Sequence, residues 1–160
     1  MTKPADNFEK NNDCEVVTIG EPFENVKFAF RETCFGITKI GNEYLFTRKN
    51  DELSMVGGGV EVGETHAETL TREYLEESGF KVKAVKHFVD VDAYWMAGHG
   101  TYPMRSLAHI YLVDCKDTHG DPTEENHKPV LMSLTKAYNE LQLPYHKKAI
   151  EYYLNSLDKI

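Results

Sequence analysis

Hydrophobic and polar residues alternate in long runs along much of this chain. "VKFAFRETCFGITKI", residues 26–40, reads as a strand rich in Phe, Val and Ile. The turn dipeptide Gly41-Asn42 leads into "EYLFTRK", residues 43–49, so this pair is predicted to be a hairpin. Two further alternating runs, "FKVKAVKHFVDVDAYW" (80–95) and "SLAHIYLVDC" (106–115), predict strands joined by the glycine-bearing link "MAGHGTYPM". "KNDELSMVGGG" and "KDTHGDPTEENHKP" read as loops, and "VLMSL" as a short buried strand. The period changes to that of a helix in three places: after Thr65, in "TKAYNEL", and in "PYHKKAIEYYLNSL" from Pro144. In the last, Ala149, Ile150, Tyr153, Leu154 and Leu157 share a face. Residues Met1 to about Glu15 are polar and are expected to be frayed. The division is an N-terminal extension, 1–24, partly flexible, and one domain over 25–160. Strands interspersed with helices give an α/β class with a mixed sheet flanked by helices.

The helix after Thr65 carries the chemistry. Thr65 followed by Glu68 is a capping box, and Gly79 is a left-handed C-terminal cap. At about 100° per residue, Ala67, Leu70, Thr71, Tyr74 and Leu75 take the core side, while Glu73, Glu76 and Glu77 crowd one sector opposite. Only Arg72 stands among these acids, with Glu61 and Glu64 just upstream. A solvated face usually mixes both signs, because like charges one turn apart repel. Clustered hard oxygen donors instead suit Mg²⁺ or Mn²⁺. Gly57, Gly58, Gly59 and Gly63 precede the helix and let backbone approach a ligand.

Gly58, Glu64, Arg72-Glu73, Glu76-Glu77, Gly79 and Phe80 together resemble the Nudix box, G-x5-E-x7-R-E-U-x-E-E-x-G-U, with every fixed position filled. The aliphatic position after Arg-Glu is Tyr74 here, a departure that bears on packing. The resemblance implies a Nudix-type α/β/α sandwich. It also implies a hydrolase that cleaves a phosphoanhydride in nucleoside diphosphate-linked compounds, using water activated by a divalent cation. Nucleoside triphosphate pyrophosphohydrolase is the first expectation, and a non-catalytic nucleotide sensor on the same fold is the alternative. By position, Glu73, Glu76, Glu77 and the Gly58 carbonyl would hold Mg²⁺ or Mn²⁺, and Arg72 would orient the cluster through Glu64 or Glu73. The general base would be Glu73 or a loop acid such as Glu125, seven residues before Met132. Arg48 and Tyr94 are expected to touch substrate, with Trp95 a further stacking candidate.

A net charge of −8 argues against nucleic acid as a partner. No apolar run is long enough for a membrane span and no apolar signal core opens the chain, so the cytoplasm is expected. A homodimer is admitted. The three cysteines, Cys14, Cys34 and Cys115, lack metal or redox spacing and read as free thiols. Residues 114–125 resemble a calcium loop only at their ends, since Lys116 stands where a carboxylate is required. The seven histidines show no paired ligand spacing and read as lone surface or core residues.

Overall fold

The two longest alternating runs pair with each other and form the spine of the molecule. The computed structural model describes residues 7–158. In chain order the strands are β1 (Asn7–Glu9), β2 (Val16–Ile19), β3 (Ala29–Ile37), β4 (Lys39–Ile40), β5 (Glu43–Lys49), β6 (Glu52–Ser54), β7 (Val56–Gly59), β8 (Phe80–Met96), β9 (Tyr102–His119) and β10 (His127–Met132). The helices are α1 (His66–Ser78), α2 (Ala97–Gly100), α3 (Leu134–Glu140) and α4 (Pro144–Leu157). Strands β8 and β9 run antiparallel through three register shifts. β3 lies parallel to β9, and β7 pairs antiparallel with β3 at the sheet edge. β1 and β2 pair in parallel with β8 at the opposite side. A smaller sheet orders β10-β5-β4, with β6 on β5. No helix among the described residues is long and apolar enough to cross a membrane.

The period of two sorts the core into two faces. Cys34, Val56, Val85, Tyr111 and Val113 pack with Leu70 and Tyr74 of α1. Their strand neighbours Phe35, Met55 and Ile110 instead join Ala149 and Ile150 of α4. This is the expected mixed sheet flanked by helices. In α4 the anticipated face is buried only at its start: Ala149 and Ile150 are inaccessible, whereas Leu157 is exposed.

Three local expectations change. The Gly41-Asn42 turn does close a hairpin, but only β4 pairs across it with β5. The main strand β3 leaves at Thr38 for the other sheet, where both its partners, β7 and β9, are distant in sequence. Residues 49–59, read as a loop, contain β6 and β7. Glycines there disguise a strand whose backbone must come close: Gly57 has φ 148°, and a Cβ on it would stand 2.1 Å from the Cys34 carbonyl oxygen. Third, β1 and β2 lie within the segment expected to be partly flexible. All three residues of β1 are exposed, so no apolar alternation marked it. The part of that segment at residues 1–6 lies outside the described residues. All three cysteines are free thiols.

Tyr74, the departure from the family's aliphatic position, is fully buried and its hydroxyl meets Thr38 Oγ1 at 2.8 Å. Gly36 makes the room, since a Cβ there would stand 2.1 Å from the Tyr74 hydroxyl and 2.6 Å from Val113 Cγ2. Gly36→Ala is therefore expected to destabilise the fold by about 1–3 kcal/mol through overpacking. Urea unfolding measures this, and an unchanged midpoint would contradict the packing described.

Candidate active site

Helix α1 is fixed at both ends by its own sequence. The Thr65 hydroxyl accepts from the Glu68 N–H at 3.1 Å, and the Glu68 carboxylate accepts from the Thr65 N–H at 3.1 Å. The helix stops at Gly79, which is left-handed at φ 76°. The Gly79 N–H donates to the Leu75 carbonyl at 3.3 Å, and the last carbonyls take further partners from outside the helix. The N–H groups of Thr123 and Glu124 donate to Leu75 and Glu76 at 3.2 and 2.9 Å, and the Thr47 hydroxyl donates to the Glu77 carbonyl at 3.2 Å. Those bonds set the register of the loop before β10, and so decide which of its acids turns inward.

Arg72 organises the acids that follow. Its Nε and Nη2 grip the Glu64 carboxylate at 2.8 and 3.0 Å, a two-point match of planar groups. Nη1 donates to Glu73 at 2.8 Å and to Glu76 at 3.3 Å, while Nη2 also reaches the Gly59 carbonyl at 3.1 Å. Hydrogen bonding to Glu64 pushes the guanidinium further above its ordinary range. The same bond holds Glu64 down at about 2. Arg72 is thus committed to positioning, with its donors turned to protein oxygens.

Glu73 and Glu77 are in a different state. Burial raises Glu73 to about 7, outweighing the Arg72 bond, with Glu76 and Glu124 adding repulsion. Burial raises Glu77 to about 8; the Gly57 N–H, 2.8 Å from its Oε1, opposes that shift, and Glu73 adds to it. A bound cation would relieve the raised values of both carboxyls, the buried Glu77 and the largely covered Glu73. Gly58 completes the corner, because a Cβ there would stand 2.5 Å from Glu73 Oε1. These hard oxygens fit a hard divalent ion. Their oxygens are not gathered into one ion-sized shell, since Arg72 draws Glu73 and Glu76 to its own side; the two compact donor sets among the described residues lie elsewhere.

The acids face a cleft of about 500 Å³ that also receives Arg31 and Lys49 as cations and Phe35, Leu143 and Tyr145 as apolar wall. Glu124 lines it and Glu125 does not. His127 stands between the acids, 3.6 Å from Glu77 and 3.3 Å from Glu124. Sequence reasoning missed Arg31 and His127: each is a lone residue on a strand, brought here only by sheet pairing. Arg48 points away and pairs with Glu140 at 2.6 Å. Tyr94 packs edge-on against Phe28 and under Arg105, outside the cleft lining. Trp95 donates to the Ser106 hydroxyl at 3.0 Å and packs edge-on against Tyr145.

The model of the NUDIX domain matches residues 33–154. The chain belongs to the Nudix family. No curated protein matches it in sequence. Among solved structures it is similar to a NUDIX hydrolase from Nitrosomonas europaea, with 16% identity, TM-score 0.61, and 79% of this chain and 89% of that one covered. It is also similar to a MutT NUDIX hydrolase from Burkholderia pseudomallei, with 19% identity, TM-score 0.60, and coverage of 76% and 96%. The MutT protein of Bacillus halodurans matches at 17% identity and TM-score 0.60, over 76% and 80%. At such identities these structures support the Nudix fold. The family supports a hydrolase of pyrophosphate bonds that works with divalent metal.

The Glu64–Arg72 pair predicts an acid-dependent stability. Glu64 is depressed from 4.5 to about 2 in the folded chain. Its contribution is therefore complete above the unfolded value and is lost as pH falls through the folded one. The stability gap between wild type and Glu64→Gln is expected to shrink as pH drops from about 5 to 2, a window set by those two values. Chemical denaturation at several pH values measures it; a gap independent of pH would contradict the pairing.

Proposed function

We propose that this Nudix chain hydrolyses a phosphoanhydride in a nucleoside diphosphate-linked substrate with Mg²⁺, nucleoside triphosphate to monophosphate and pyrophosphate being the first reaction to test. The observation that carries this reading is the pair Glu73 and Glu77 beside the Gly57–Gly58 backbone, Glu73 held by an Arg72 already locked to Glu64 and Glu77 by the Gly57 N–H. Glu73, Glu76, Glu77 and the Gly58 carbonyl would hold Mg²⁺, with Mn²⁺ as a substitute. When bound, the ion polarises the attacked phosphorus and makes its water acidic.

The chain's own groups supply the rest. Arg72 holds Glu73 and Glu76 to its own side, and an ion would have to draw their free oxygens toward the cleft. Arg31 and Lys49 offer positive charge to the phosphates across the cleft, and Phe35 and Tyr145 offer flat apolar surface to a base. Glu73 is the proposed proton acceptor. Glu124 is the loop acid favoured for an assisting role over Glu125, because its side chain reaches the cleft wall beside His127. The net charge of −8 favours a small nucleotide over nucleic acid.

A panel of triphosphates, dinucleoside polyphosphates, nucleotide sugars and ADP-ribose, assayed by product identity with and without Mg²⁺, tests this directly. Turnover that requires the metal is expected with at least one class. Binding without turnover across the panel would mark a nucleotide sensor instead. Glu76→Gln and Glu77→Gln are each expected to lose at least about tenfold in turnover while remaining folded. Glu73→Gln should lose about 10²–10⁴-fold, as removal of a general base does. Glu125→Gln should stay close to wild type. A silent Glu73→Gln beside a severe Glu125→Gln would transfer the role to the outer loop acid.

A further inference from the structure

Away from the cleft, the α1 face of the large sheet carries a nitrogen-rich cluster. Glu32 of β3, His66 at the start of α1 and His109 of β9 each present one donor atom, all mutually within 4.8 Å. Arg31 lines the active-site cleft, and Glu32, its neighbour in the strand, points to the opposite face. His109 is buried, while Glu32 and His66 are half-buried, so the cluster meets solvent on one side. Nothing in the proposed hydrolysis uses these residues.

Each ring has an oxygen at Nδ1, as ligating histidines usually do. A ligating histidine usually gives its second N–H to a carboxylate or another oxygen, which fixes the tautomer and aims the free nitrogen. His109 Nδ1 lies 2.8 Å from Asp90 Oδ1, and its Nε2 lies 2.8 Å from Glu32 Oε2. His66 Nδ1 lies 2.8 Å from the Tyr111 hydroxyl, and no hydrogen bond to its Nε2 occurs among the described residues. The two rings stack at 4.3 Å. With Nδ1 protonated in both rings, Asp90 and Tyr111 act as acceptors; the His66 Nε2 is then open, and the His109 Nε2 faces the Glu32 carboxylate, with which it shares a proton.

We propose that Glu32, His66 and His109 form a second metal site, selective for a late first-row divalent ion such as Zn²⁺. Two imidazoles and one carboxylate are the ligand type such ions prefer over Mg²⁺. Three protein ligands leave a fourth position for water. Ligands at about 2.0–2.2 Å in a tetrahedron sit roughly 3.3 Å apart. The Glu32–His109 contact must therefore open by about half an ångström, and a pair near the 4.8 Å limit must close by about 1.5 Å, through rotation of the half-buried Glu32 and His66 side chains. The ion would replace the proton these two groups share, and would tie β3 and β9 to the start of the helix that bears the Nudix glutamates. Burial keeps His66 neutral, lowering it to about 4. The neighbouring set Cys14, His87 and Asp90 is just as compact but is pre-empted: the Asn11 N–H donates to His87 Nδ1 at 3.3 Å, so the proton sits on Nε2, the nitrogen facing Asp90 and Cys14.

Zinc retention tests the assignment. The wild-type protein is loaded with Zn²⁺, then dialysed against buffer containing millimolar Mg²⁺ to occupy the cleft carboxylates, and its metal content is measured. One zinc per chain is expected in wild type and in Glu76→Gln. His66→Gln, His109→Gln and Glu32→Gln should each bind it at least about tenfold more weakly, and Asp90→Asn about tenfold, as loss of an outer-sphere partner does. His66 is half-buried at the helix start, so its variant stands if the buried His109→Gln fails to fold. Co²⁺ substitution adds a spectral readout: tetrahedral bands present in wild type and absent in His66→Gln. No retained zinc in wild type would overturn the proposal. So would zinc lost with Glu76→Gln and kept in His66→Gln, or zinc lost with Cys14→Ser.

Discussion

The guanidinium of Arg72 is the constraint on which the site depends. It takes one acid, Glu64, from the loop before the helix and two, Glu73 and Glu76, from the helix itself, and adds the Gly59 carbonyl of the edge strand. Loop, helix and strand are thereby referred to one planar group with fixed donor directions. A lysine could not do this, since a single ammonium point cannot meet a carboxylate on two sides. Because Arg72 is engaged elsewhere, the Glu77 carboxyl meets only the Gly57 N–H at 2.8 Å and His127 at 3.6 Å, and burial raises it to about 8. Such an arrangement is poor for stability and good for attracting a cation.

The cleft exists because the chain brings backbone where side chains would block it. Gly57 and Gly58 press against β3 and Glu73 with no room for a Cβ. At the far end of α1, the loop before β10 supplies the missing helix-terminal hydrogen bonds, and in doing so carries Glu124 and His127 to the same opening. A helix-capping requirement thus also shapes the active-site wall. His127 accordingly meets acids from both elements, Glu77 of the helix and Glu124 of the loop.

What could be read from sequence was local. The capping box at Thr65, the stop at Gly79 and the burial of Ala67, Leu70, Thr71 and Tyr74 need only neighbouring residues and appear as expected; Glu77, placed on the acidic side, is instead buried, and Leu75 is only partly so. The Nudix resemblance rests on the same short stretch, and the family match confirms it. What stayed hidden was distant. The pairing of β3 with β9, the conversion of a glycine loop into β7, and the meeting of Glu32, His66 and His109 all join residues far apart along the chain. Histidines without paired spacing looked solitary for that reason. Glu124 and Glu125 are adjacent acids, and the hydrogen bonds closing α1 distinguish which one enters the cleft.

The central claim is that the Nudix carboxylates, positioned by Arg72, form a divalent-cation site in this cleft. Backbone amide NMR with substoichiometric Mn²⁺ reads it residue by residue, because the paramagnetic ion broadens signals by proximity. The account predicts that the amides of Gly57, Gly58, Glu73, Glu77 and Glu124 broaden first, and that excess Mg²⁺ restores them. Broadening spread evenly over exposed acids such as Glu151 and Asp158, or confined to the surroundings of His66, would contradict it.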